Sequence, residues 1–112
     1  MTSTPETNDS TTAQELGYHR RKLHKPVEIE WGSSTLTGMV RDIGPKGMFV
    51  ELKPPLWLGA TFSARLMLNP VVRLNCTVRR IEPGEGNAVT FDLPEESAQE
   101  QLKILLDTLP EA

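Results

Sequence analysis

Between residues 27 and 93, apolar and polar residues alternate in six short runs, separated by breaks rich in glycine, proline, asparagine and serine. Alternation at period two sends one row of side chains to a core and the other to water, so each run predicts a half-buried strand. The first is Val27-Glu28-Ile29-Glu30-Trp31, entered through Pro26, where a missing N–H does least harm. After the turn Gly32-Ser33-Ser34, residues 35–43 form the second, with Leu36, Gly38 and Val40 on one face and Thr37, Met39 and Arg41 on the other. Residues 46–52 form the third, Met48, Val50 and Leu52 opposing Phe49 and Glu51. A proline-rich connector, 53–59, is too apolar to be freely solvated, and Leu56 or Trp57 is expected to plug an end of the core.

Residues 61–68 give the fourth strand and 72–81 the fifth, with Val72, Leu74, Cys76 and Val78 inward. After a turn over 82–87, residues 88–93 give the sixth, with Val89, Phe91 and Leu93 on one face. The period then changes. Pro94 suits a first helical turn, Glu95 and Glu96 complement a helix N-terminus, and Ala98, Leu102, Leu105, Leu106 and Leu109 recur at helical spacing. The expected architecture is all-β with one C-terminal helix: a six-stranded antiparallel barrel, since closure removes exposed edges. The helix's leucine stripe is satisfied by its own barrel or by a second copy, so monomer and homodimer both stay open.

Length and charge narrow the picture. A chain of 112 residues makes one domain. Its net charge of −3 resides in residues 1–16, where Glu6, Asp9 and Glu15 meet no lysine or arginine, and the remainder balances. Residues 1–16 have no large apolar residue before Leu16 and are expected to be a disordered tail. A balanced domain lacks the broad phosphate-neutralising patch of a DNA or RNA binder, and its few outward aromatics argue against single-strand binding. Cys76 is the only cysteine, which excludes an internal disulfide and a cysteine-based metal site. No segment approaches the roughly 20 apolar residues of a membrane span, and the N-terminus lacks a signal-peptide pattern. A cytoplasmic location is the expectation.

Candidate chemistry concentrates at two places. One is the turn Asp42-Ile43-Gly44-Pro45-Lys46-Gly47, where glycines allow backbone to approach a ligand beside a carboxylate. The other is the dense basic cluster Arg20-Arg21-Lys22-Leu23-His24-Lys25, just ahead of the first strand. A cationic arm and an acidic turn suit one anionic, hydrogen-bonding ligand. No nucleophile, base and orienting group can be assembled, so no enzymatic activity and no cofactor are expected. His19 and His24 lack the neighbours a metal site needs. Trp31 and Trp57 read as core or rim packing.

The arm and the turn, in that order, resemble the PilZ family, whose members sense cyclic di-GMP through an R-x-x-x-R arm and a [D/N]-x-S-x-x-G turn. The resemblance covers 17–109 and implies an arm over 17–25, a barrel over 26–93 and a helix over 94–109. By position it makes Arg20 or Arg21 the first arm residue, His24 or Lys25 the second, and Asp42, Gly44 and Gly47 the turn. In these roles arginine would bind phosphate or the guanine O6/N7 edge bidentately, and Asp42 would accept from guanine N1 and N2. Two departures stand out: Gly44 replaces the serine, and neither arm register has a second arginine. Together they put about tenfold to a thousandfold of affinity at stake. The function implied is a stand-alone domain that binds cyclic di-GMP and signals to a partner protein. The alternative is a degenerate adaptor of pilus or motility machinery that binds no nucleotide.

Overall fold

Inward-facing valines, leucines and isoleucines can all be buried at once only if the strands wrap round them, and they do. The computed structural model describes residues 20–111, so the expected tail and the first residues of the arm lie outside it. The strands are β1 (Arg21–Trp31), β2 (Ser34–Ile43), β3 (Gly47–Glu51), β4 (Thr61–Leu66), β5 (Val72–Glu82) and β6 (Gly86–Asp92), followed by the helix α1 (Glu96–Thr108). They close into a barrel in the order β1-β2-β3-β6-β5-β4, with every neighbouring pair antiparallel. Val27, Ile29, Val40, Ile43, Met48 and Leu66 are wholly enclosed, and Ala98 and Leu102 of α1 are buried with them. The helix covers the barrel with its leucine stripe, and Leu105, Leu106 and Leu109 pack partly buried against the core.

Three departures from the alternation matter for the site. First, β1 begins at Arg21, not at Pro26: much of the expected arm is strand, paired with β2 from Arg21 opposite Ile43 onward. Leu23, the one large apolar residue in the cationic run, is buried and anchors it. The register slips between Lys22 and Lys25, a bulge that re-aims the side chains around it. Second, Phe49 points away from the core yet is buried, because the Arg41 guanidinium lies 4.0 Å from its ring centroid. Third, Asn87, expected in a turn, lies in β6 and is buried.

Asn87 fastens the connector to the barrel. Its side-chain carbonyl accepts the Leu56 N–H at 2.8 Å, and its amide donates to the Leu56 carbonyl at 2.9 Å. Leu56 is thereby held as the core plug, while Trp57 stays exposed and meets Trp31 edge-on at 4.7 Å. Asn87→Ala strands both polar groups of Leu56, and a loss of about 1–3 kcal/mol in chemical denaturation is expected. At the chain's end the Lys22 N–H donates to the Pro110 carbonyl at 2.8 Å, so the segment after α1 is tied to the start of β1.

Candidate functional site

The turn between β2 and β3 is closed by the Gly44 N–H donating to the Gly47 carbonyl at 2.8 Å, and the Phe91 N–H holds the Lys46 carbonyl at 2.9 Å. Neither glycine has positive φ. Gly47 is required by close approach: a Cβ there would lie 2.7 Å from the Val89 carbonyl oxygen and 3.5 Å from Arg20 Nη1. The Arg20 guanidinium therefore lies across bare backbone.

Asp42 is the group Arg20 reaches. Nη2 of Arg20 stands 2.8 Å from Oδ1 of Asp42, with about a fifth of each side chain exposed (22% and 20%). The contact is ionic rather than a well-aligned hydrogen bond. Asp42 Oδ1 is shielded from solvent, and among the described residues no donor meets it in hydrogen-bonding geometry. Arg20 is thus the one close cation of this oxygen among the described residues, and it covers the carboxylate on the side of Gly47.

The bulge in β1 divides the expected arm between two hollows. One, of about 440 Å³, is lined by Lys22, Leu23, His24, Arg41 and Asp42. The other, of about 600 Å³, lies between the turn and α1 and takes in Arg21, Lys46, Phe91, Asp92 and Lys103. Arg20 reaches Asp42 and lies over Gly47, His24 shares the first hollow with Asp42, and Arg21 faces the second. Arg21 also stands 4.0 Å from Glu111. Lys25, beyond the bulge and paired with Val40, lines neither hollow.

Two further cations border these hollows without a motif to announce them. Arg41, exposed on the outer face, is the extra residue of a bulge between Val40 and Asp42, and it borders the hollow that holds Asp42. Lys46, in the turn just ahead of β3, borders the hollow that holds Arg21. Elsewhere little chemistry is offered. Burial, and after it the charge of Asp92, pushes the Cys76 thiol up to about 12, so it remains protonated at neutral pH. Glu28 and Glu30 are joined to Arg65 at 2.6 and 3.5 Å. Among the described residues no group of three His, Cys, Asp or Glu side chains could hold a metal ion, and no helix is long and apolar enough to cross a membrane.

No curated protein matches the chain. Among solved structures, the crystal structure of the PilZ domain of CeSA from a cellulose-synthesizing bacterium aligns with a TM-score of 0.62 over 80% of this chain and 95% of that one. The two are 20% identical, a likeness that speaks for the fold. The sequence pattern of the PilZ domain itself matches residues 17–107, spanning the basic cluster, all six strands and nearly all of α1: the chain belongs to the PilZ domain family.

Proposed function

We propose that this domain binds cyclic di-GMP over the turn between β2 and β3 and conveys its occupancy to a partner protein. PilZ domains are binding domains, and the family is generally one of cyclic di-GMP receptors. The observation that carries the reading is the Arg20–Asp42 pair laid across Gly47. It sets a planar cation, a shielded carboxylate oxygen and side-chain-free backbone side by side. Arg20 and Arg21 would face the phosphates, as planar, bidentate donors. Asp42 would accept from the N1 and N2 donors of a guanine, and Gly44 and Gly47 would let the nucleotide approach the main chain. Lys22, on the wall of the hollow that holds Asp42, adds positive charge in place of a second arm arginine, and His24 beside it offers a ring nitrogen for hydrogen bonding. Arg20 is already docked, so the ligand enters by sharing the Asp42 contact, and the surface change passed to a partner is local to β1 and the turn.

Nuclear magnetic resonance titration tests this directly. Adding cyclic di-GMP to the labelled protein is expected to shift the backbone amides of Asp42, Gly44 and Gly47. The indole signals of Trp31 and Trp57 should stay in place, since Trp31 ends β1, roughly 30 Å along the strand from Arg21. Unchanged turn amides at millimolar nucleotide would instead favour the adaptor reading, to which the position of Lys25 outside both hollows lends support.

A further inference from the structure

Seven arginines lie among the described residues, and five of them, Arg20, Arg21, Arg41, Arg65 and Arg80, stand within 4.0 Å of a carboxylate. Arg73 is exposed and sits opposite another cation, Arg65. Arg79 is different. It is the extra residue of a bulge in β5, between Val78 opposite Val89 and Arg80 opposite Ala88. Bulges of this kind turn a side chain toward a site. Its Nε donates to the Thr90 hydroxyl at 2.9 Å, which orients the guanidinium without neutralising it. No carboxylate among the described residues pairs with it.

The strand register carries this guanidinium toward the turn. Thr90 is paired with Gly47 on one side and with Thr77 on the other. Paired residues point to the same side of a sheet, so the outer face runs from Arg20, across the bare position of Gly47, to Thr90 and then Arg79. Arg79, Thr77, Thr90, Asn75, Lys46 and Asp92 border a small hollow of about 250 Å³. That hollow shares Lys46, Phe91 and Asp92 with the larger one that holds Arg21. The two hollows meet at Lys46, Phe91 and Asp92, with Arg21 in the larger and Arg79, Thr77 and Thr90 in the smaller.

We infer that the outer face of β5 and β6 is a second guanine subsite, in which Arg79 supplies the guanidinium that the arm lacks at its second position. This rests on the cyclic di-GMP reading and extends it from the turn to the barrel wall. The chemistry is that of a guanine: Arg79 donates to the O6/N7 edge, and Asp92, the one carboxylate of the hollow, accepts from N1 and N2. Lys46, between the two hollows, faces one of the ligand's two phosphates.

The test is calorimetric titration of cyclic di-GMP into the unmutated protein and into Arg79→Ala, Arg79→Lys and Asp42→Ala, with the Arg79 Nε–H resonance of the unmutated protein followed in parallel. Arg79→Ala is expected to weaken binding by about ten- to a hundredfold, and Arg79→Lys to recover little of it, because lysine offers a point charge and no fork. The Nε–H resonance should shift on saturation. Binding to Arg79→Ala at full affinity while Asp42→Ala loses it, or an unmoved Nε–H signal in a saturated sample, overturns the second subsite and leaves the first standing. Absence of binding to the unmutated protein overturns both.

Discussion

Gly86→Ala is expected to lower the melting temperature by more than ten degrees, whereas Gly84→Ala, two residues earlier in the turn that precedes β6, should cost only a few. Both glycines have positive φ, at 156° and 76°, yet their surroundings differ. Gly86 is buried opposite Glu51 in the β3–β6 ladder, and a Cβ there would be driven into the Val50 carbonyl, a backbone group that cannot swing aside. A closed barrel offers no free edge along which β3 could retreat. Overpacking against backbone and residual strain together cost about 2–4 kcal/mol, and each kcal/mol moves the midpoint of a domain this size by roughly 4–8 °C. At Gly84 nothing lies within 4 Å, so the left-handed conformation alone is penalised, at about 1 kcal/mol. Paired thermal melts would separate the two, and equal midpoints for the two variants would contradict the account of the β3–β6 approach.

The second large effect concerns the ligand. Asp42→Ala is expected to weaken cyclic di-GMP binding by about a hundredfold. It removes the acceptor for the guanine donors and also releases Arg20, which loses its only carboxylate among the described residues. Arg20→Ala should weaken binding comparably. Their stability effects should be modest, within about 1 kcal/mol, because a partly exposed pair contributes little to folding. Affinity falling far more than stability is the signature of a ligand site. Two variants with destabilised folds and unaltered affinity would assign the pair a structural role instead.

The barrel was legible because its signal is redundant. From Val27 onward each strand repeats apolar residues at period two, and inward valines such as Val72 and Val78 land where alternation places them. The helix was legible for the same reason at another period, though it starts at Glu96 rather than Pro94. The site was less so. Alternation fails wherever an extra residue enters a strand, and the site is bordered by three such places: beyond Lys22, at Arg41 and at Arg79. The sequence left two arm registers open because the β1 bulge falls between them. Once it is placed, Arg20 pairs with Asp42, His24 lines the hollow that holds Asp42, and Arg21 faces the other hollow. Asn87 was hidden differently: its partner, Leu56, is 31 residues away, and no local pattern announces a side chain that clamps a distant loop.

The Arg20–Asp42 pair over Gly47 is proposed to hold cyclic di-GMP despite an arm with no second arginine. Calorimetric titration of the purified protein at moderate salt, beside an Arg20→Ala/Arg21→Ala double variant, tests it most directly. Binding in the micromolar range or tighter, lost in the double variant, is the predicted result. A flat titration for the unmutated protein up to millimolar nucleotide would contradict it and leave a PilZ fold that works through protein contacts alone.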